Sequence, residues 1–413
     1  MYQTVIIADD YSSAADCGVQ FAKYGISAAA ILNKETMYFP DKKVIALDSD
    51  SRALNGEEAC ARVRNCVKEL KKRGYRRIFK SVDSTLRGNP GSEIKGILKE
   101  VDLEYALIAP AFPFYGRVIS NGIHYLNGIR LEDSFMRNDP VCPMRESSLI
   151  KILESQTGSQ VAGINIENVR AGKDVFLEKI QEYRKKGIRF IAVDGVLESD
   201  VRRVAEYAYE LEHCLIAGST GLARYLPVAW KLGNTLAENI YKKSERRIVI
   251  AAGSRSPVTK KQIEILKRET QCSMLEIPPE VLIDRTFSRF LSQASFEIKK
   301  NRKLILYVSG EKMNLCRKNM DTMFSLKIAE GLGKFVESLA TNEKIDGLVL
   351  TGGDTARAVC DSLQGKYINL LGEIEPGIPM GILEGDISIG MVIKAGAFGS
   401  DYALVNAVKK LGG

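Results

Sequence analysis

Residues 4–10 read TVIIADD, a β-branched apolar run that stops at two carboxylates, and the same cadence returns along the whole chain. In the first half it recurs as KKVIALDSDS (42–51), RRIFKSVDS (76–84), YALIAPAF (105–112), IRFIAVDG (188–195) and HCLIAGS (213–219). In the second half it recurs as RRIVIAAGS (246–254), KLILYVSG (303–310), IDGLVLTGGD (345–354) and GMVIKAGAFG (390–399). Short apolar runs of this kind are strands buried on both faces, and the longer amphipathic segments between them are crossover helices. Over residues 57–74, for example, helical spacing puts Ala59, Val63, Val67 and Leu70 on one face, with Arg64, Lys68 and Lys71 on the other; Gly74 ends the helix. The rhythm of strand, turn and helix predicts an α/β protein built from largely parallel sheets flanked by helices.

At 413 residues the chain is too long for one ordinary core and suits two or three domains. The boundary is expected in the polar stretch 226–246, which divides the chain into a domain at 1–225, a linker and a domain at 247–413. With 45% hydrophobic and 27% charged residues, the composition is that of a globular protein. Its net charge of +8 is spread without a basic stripe, which suits small anionic substrates and gives no reason to expect a nucleic-acid partner. The eight cysteines contain no C-x-x-C pair and read as reduced packing residues. Two histidines exclude a tri-histidine metal site by count. No stretch approaches the roughly 18 apolar residues of a membrane span, and no basic leader precedes an apolar run. A cytoplasmic chain without a membrane partner is expected, with exposed faces that leave room for a homodimer.

In parallel sheets ligands bind beyond the carboxyl ends of the strands, so the residues just after each run are the candidates. Asp9 and Asp10 close the first run; such a pair can bind Mg²⁺ or accept a hydroxyl proton, and either carboxylate can equally cap the next helix. Lys80, Asp83, Ser84, Arg87 and Asn89 come after the RRIF run, a mixture that suits a polyhydroxy acid: a bidentate cation for the carboxylate, and hydroxyl and carboxylate groups for the alcohols. Arg52, after the KKVIALD run, is either a further cation or a surface charge. Residues 109–128, dense in Pro, Gly and aromatics, read as a long structured loop rather than a regular element, with His124 structural. In the second half Gly253 and Ser254, then Gly352, Gly353, Asp354 and Thr355, then Gly396 form three glycine turns after three apolar runs, the pattern of a nucleotide-phosphate site. Neither G-x-x-x-x-G-K-[ST] nor G-x-G-x-x-G is present.

Taken in order, IADDYSSAADCG, KSVDSTLRGNPGSEI, APAFPFYGRVISNGIHYLNG, AGSTGLARYL, AAGSRSPVTKKQIE, LVLTGGDTARAVC, GEIEPGIPMG and VIKAGAFG resemble the four-carbon acid sugar kinases over nearly the whole chain. That family includes D-threonate, D-erythronate and 3-oxo-tetronate kinases. The resemblance implies a sugar-acid-binding N-terminal domain, an ATP-binding C-terminal domain, an active site in the cleft between them, and γ-phosphoryl transfer from Mg²⁺-ATP to a terminal hydroxyl. It carries Asp10, Arg52, Lys80, Asp83, Ser84 and Arg87 to the substrate side. Ser254, Gly352, Gly353, Asp354, Thr355 and Gly396 go to the ATP side. Lys80 or Arg87 would neutralise the acid, and Asp10 or Asp83 would orient or deprotonate the attacking hydroxyl. Where the family's first motif reads ADD-x-TGA, this chain has Ser12, Ser13 and Ala14, and Ser13 in place of glycine restricts close approach to that helix start. The rival readings are a non-catalytic regulator that binds nucleotide and sugar acid, and an NAD-dependent oxidoreductase, which the missing dinucleotide fingerprint disfavours.

Overall fold

A computed structural model describes residues 2–32, 38–139, 141–233, 236, 246–254, 256–308 and 322–412. The chain forms two compact units, Met1–Ala28 with Asp41–Ala237, and Ala29–Pro40 with Glu238–Gly413. Its strands, in chain order, are β1 Tyr2–Ala8, β2 Ala28–Ile31, β3 Val44–Asp48, β4 Tyr75–Ser81, β5 Tyr105–Ala109, β6 Arg117–Ser120, β7 Ile123–Leu126, β8 Ile129–Arg130 and β9 Val161–Ile164. They continue as β10 Phe190–Val193, β11 Cys214–Gly218, β12 Ile248–Ala252, β13 Ser273–Ile277, β14 Lys303–Val308, β15 Gly347–Thr351, β16 Gly365–Glu373, β17 Pro379–Gly385 and β18 Ser388–Lys394. The β-branched apolar runs therefore supply strands in both halves.

In the first unit the strands run in the order β3, β1, β4, β11, β5, β10, β9, and every pair is parallel. Because β3 lies on one side of β1 and β4 on the other, the winding reverses at β1, and a crevice opens beyond its carboxyl end. Val5, Ile6, Ile7 and Ala8 are fully buried, as a strand covered on both faces requires. The predicted helix is Gly56–Arg73, capped by the Asn55 side chain at the Glu58 amide (3.0 Å) and stopped at Gly74, with Ala59, Val63, Val67 and Leu70 buried.

The second unit repeats the plan: β13, β14, β12, β15 and β18 are parallel, with β17 and then β16 added antiparallel. Here the winding reverses at β12, between β14 and β15. Ile248 and Ile250 of β12 pack with Leu266 from the helix Pro257–Glu269 and with Leu404, Val408 and Leu411 from the helix Ala403–Leu411 in one buried cluster. Each such side chain removed from water contributes roughly 1.5–3 kcal/mol.

The domain limits expected from sequence need correction at two places. The excursion 29–40 belongs to the second unit: the Leu32 amide donates to the Lys366 carbonyl at 3.2 Å, and the Tyr38 ring stacks on Tyr367 with centroids 5.8 Å apart. A short Ala-rich strand carries no mark of which sheet it joins, so the first domain is not continuous in sequence. At the other limit Leu226 and Trp230 are buried in the first unit, Trp230 lying 6.2 Å from the Phe21 ring, so the start of the expected linker is core. Linker residues 234, 235 and 237–245, and the Ser309–Gly310 end of the KLILYVSG run, lie outside the described residues.

Residues 109–128 also depart from expectation. They hold the strands β6 and β7 of a regular antiparallel sheet, which β8 completes just beyond them in the order β6, β7, β8. Asn121 and Gly122 take φ of 50° and 72°, and Asn127 and Gly128 take 51° and 81°, the paired left-handed residues of tight hairpins. No described helix is long and apolar enough to cross a membrane.

Candidate active site

The crevice beyond β1 gathers residues from three strand ends. Asp10 caps the helix Tyr11–Ala22, its Oδ1 accepting from the Ser13 amide at 2.8 Å. Its Oδ2 accepts from the Ser12 hydroxyl at 3.1 Å and from Arg52 Nη1. Arg52, just beyond β3, also grips Asp9 with both arms, Nε to Oδ2 at 2.8 Å and Nη2 to Oδ1 at 2.9 Å, and reaches Ser13 Oγ at 3.2 Å. Its Nη2 lies 3.5 Å from Asp83 Oδ1. One guanidinium thus serves three carboxylates.

After β4 the chain folds back on itself. Asp83 Oδ2 accepts from the Thr85 amide and hydroxyl and from Arg87 Nε (3.0 Å), while Oδ1 accepts from Arg87 Nη2 at 2.8 Å. The fold-back holds Leu86 at φ 61°, a conformation that L side chains rarely adopt, and turns Arg87 toward Asp83 and Asp139 (3.4 Å). Gly88 comes next at φ 80°, and a β-carbon there would press on Arg52 and Asp9.

The electrostatics separate the carboxylates. Burial pushes Asp83 up, but the guanidiniums of Arg87 and Arg52 and the hydrogen bonds from Arg87 and Thr85 outweigh it and hold the carboxyl well below its ordinary value. Asp10 is likewise lowered, burial being outweighed by Arg52 and the Ser13 hydrogen bonds. Asp9 goes the other way: burial raises it to about 6 against the pull of Arg52, with Glu93 and Asp10 adding to the rise.

Lys80 does not join this cluster. It is fully buried, 2.7 Å from Glu93 Oε2, and donates to the Ile7 and Ser81 carbonyls, while Glu93 accepts from Ser51 at 2.6 Å. Its ammonium is spent on two strand carbonyls and on Glu93 from the helix Pro90–Leu98, so the expectation that it touches substrate is corrected: it ties strands and helix together beneath the crevice. Ser84 is buried too, and its carbonyl accepts from His124 Nε2 at 2.8 Å. His124 is pushed down to about 4, chiefly by burial, so it is neutral and structural. Cys17 is pushed up to about 12, first by burial, and is an inert packing thiol.

In the second unit the three glycine turns meet beyond β12, β15 and β18. A β-carbon on Gly253 would collide with the Thr355 hydroxyl, and one on Gly396 would collide with Ser254 Oγ. Gly352 sits at φ 99°, its would-be β-carbon 3.6 Å from the Ser254 amide. All of the predicted nucleotide-side residues are therefore brought together, with Gly353 opening the helix Gly353–Ser362 and exposed Asp354 in its first turn. A bare backbone at a helix N-terminus is suited to phosphate. Among the described residues no His, Cys, Asp or Glu group forms a ready metal site. Mg²⁺ normally takes one or two carboxylates together with substrate phosphates, and Asp354 beside the turns fits that donor set.

Three participants escaped sequence reading: Asp139, Glu93 and Lys394, which is buried under the third glycine turn. Asp139 and Glu93 carried no local signal. Lys394 did carry one, as a charge directly after the apolar run GMVI of β18.

Residues 4–226 match the family described as a sugar-binding N-terminal domain, and residues 249–404 match a nucleotide-binding C-terminal domain. The chain is 27% identical to a D-threonate kinase of Salmonella typhimurium over 98% of this chain and 97% of that one. It is 25% identical to a 3-oxo-tetronate kinase of Pseudomonas savastanoi pv. phaseolicola with the same coverage. A D-erythronate kinase of Heliobacterium modesticaldum is also 25% identical, over 100% of this chain and 97% of the relative. Among solved structures, one from Salmonella typhimurium LT2 aligns with a TM-score of 0.85 at 21% identity over 98% of this chain and 99% of that one. One from Haemophilus influenzae aligns with a TM-score of 0.76 at the same identity and coverage.

Proposed function

The chain belongs to the family that joins a sugar-binding N-terminal domain to a nucleotide-binding C-terminal domain, and from that premise we propose that it is an ATP-dependent kinase of a four-carbon sugar acid. The observation that carries this reading is the crevice beyond β1, where Asp10, Arg52, Asp83 and Arg87 form one cluster of hydrogen bonds and ion pairs. Carboxylates accept from hydroxyls and guanidiniums donate to a carboxylate, so the cluster offers both halves of a sugar acid.

Residue roles depend on how far each group is committed. Arg87 is 29% exposed on its side chain and meets Asp139 only at 3.4 Å, so it takes the acid's carboxylate. Asp83 is saturated by Arg87 and Thr85 and holds the cations in place. Asp10, the more exposed of the two candidate carboxylates at 22% against 9%, orients the attacking hydroxyl. Its low proton affinity suits orientation more than proton abstraction, and phosphoryl transfer asks mainly for positioning. ATP lies on the turns at Gly253–Ser254, Gly352–Thr355 and Gly396. Mg²⁺, bound with it near Asp354, supplies charge neutralisation on the phosphates.

The test is a coupled ADP-release assay with Mg²⁺-ATP against D- and L-threonate, D- and L-erythronate and their 2-oxo and 3-oxo relatives. Turnover of one of these is the expected result. Silence across the panel, with nucleotide binding retained by calorimetry, would favour the non-catalytic binder instead.

A further inference from the structure

Lys394 closes β18 and is 1% exposed. Its Nζ lies 3.1 Å from the Ala395 carbonyl, 3.0 Å from that of Gly396, 3.2 Å from that of Phe398 and 3.2 Å from Thr259 Oγ1. Thr259 Oγ1 in turn donates to the Gly396 carbonyl at 2.9 Å, and the Lys394 carbonyl accepts from the Gly352 amide at 2.9 Å. One residue therefore ties all three glycine turns: the third through its ammonium, the second through its main chain, and the first through the adjoining helix Pro257–Glu269.

Its charge is the unusual part. Lys80, equally buried in the first unit, has Glu93 at 2.7 Å, whereas Lys394 makes no ion pair among the described residues. The side chains it meets are neutral: Thr259 from the helix Pro257–Glu269, Gln262 of the same helix, which donates to the Phe398 carbonyl that Lys394 also contacts, and Thr351 beside it on β15. The acid that acts on it, Glu375 between β16 and β17, is held by Ser400 and Asn406. A buried ammonium without a counter-ion is costly. Burial accordingly lowers Lys394 to about 7, with Glu375 opposing.

We propose that Lys394 is the positioning residue of the nucleotide site: its ammonium holds the 395–398 turn in its phosphate-accepting shape, and the bound phosphates supply the counter-charge that the surrounding side chains lack. This rests on the placement of the nucleotide on the glycine turns. Phosphate bound there favours the protonated lysine, so nucleotide binding draws a proton from solution.

The experiment is titration calorimetry of the full chain with MgADP at about pH 7.5 in Pipes and in Tris, whose ionisation enthalpies differ. The expected result is a buffer-dependent enthalpy that reports net proton uptake, absent in Lys394→Met. In steady state Lys394→Met raises the KM for MgATP about tenfold or more, with the sugar-acid KM within about twofold, and Lys394→Arg recovers part of the loss. An enthalpy independent of buffer in the unaltered chain overturns the proposal, and that result stands even if Lys394→Met does not fold. So does a folded Lys394→Met with an unchanged KM for MgATP. Gly396→Val separates the two readings: if it leaves MgADP affinity intact, the placement of the nucleotide is wrong. If it abolishes binding while Lys394→Met does not, only the role of Lys394 falls.

Discussion

At the carboxyl end of β1, Asp9, Asp10, Asp83 and Asp139 meet Arg52 and Arg87; beyond β12, β15 and β18 the walls are glycine and hydroxyl, over one buried lysine. Both crevices lie where the winding of a parallel sheet reverses, so the fold provides the same place twice. On the proposed assignment, the chemistry then diverges with the ligand. A sugar acid presents separate hydroxyls and a carboxylate, each needing a directed partner, and side chains locked in ion pairs supply that direction. A phosphate chain is read by backbone amides, which demands the removal of side chains, and glycine supplies that.

The comparison breaks most sharply at Arg52. Arg52→Met leaves Asp9, Asp10 and Asp83 to repel one another and should lower kcat/KM for the sugar acid by about a hundred- to a thousand-fold while nucleotide affinity is kept. Paired ADP-release kinetics and MgADP calorimetry check this, and equal losses in both would mean that the two crevices are not separate binding devices. Gly253→Val should have the opposite selectivity. Its side chain runs into the Thr355 hydroxyl, and the KM for MgATP is expected to rise about tenfold to a hundred-fold with little change for the sugar acid.

The smallest effect is one of pH. Between its ordinary value and about 6, Asp9 binds more protons in the folded chain than in the unfolded one, so its contribution favours the folded state at low pH and fades as pH rises through 6. Asp10 and Asp83, both lowered, contribute a pH slope only below their ordinary value of 3.8. Asp9→Asn should therefore flatten the decline in melting temperature from about pH 4 to about pH 6, and superimposable profiles of the two chains would refute that assignment.

Much of the candidate site was legible before the fold was known, because the strand-end rule needs only the apolar runs and the residues next to their carboxyl ends. Asp10, Arg52, Asp83, Arg87 and the three glycine turns all sit directly after such runs. The hairpins at Asn121-Gly122 and Asn127-Gly128 were also legible, since that dipeptide is a strong local turn signal, and were obscured by the Pro and aromatic content around them. Lys80 misled because a cation just after the apolar RRIF run resembles a ligand for an acid, yet it still lies within β4; its partner Glu93 lies on the helix Pro90–Leu98, which sequence alone does not place against it.

By itself, then, the sequence determined the alternation of strand and helix, the two-part organisation, the positions of the candidate residues and the family, all of which depend on order along the chain. Tertiary structure decided which charges are spent and which are available. Arg52 meets Asp9 from 43 residues away only because β3 lies beside β1, and Lys80 is withdrawn from the crevice by Glu93. It also decided that 29–40 joins the second unit and that Lys394, unlike Lys80, makes no ion pair among the described residues. Pairing of charges depends on distance in space and on burial, and neither is set until strands far apart in sequence have chosen their neighbours.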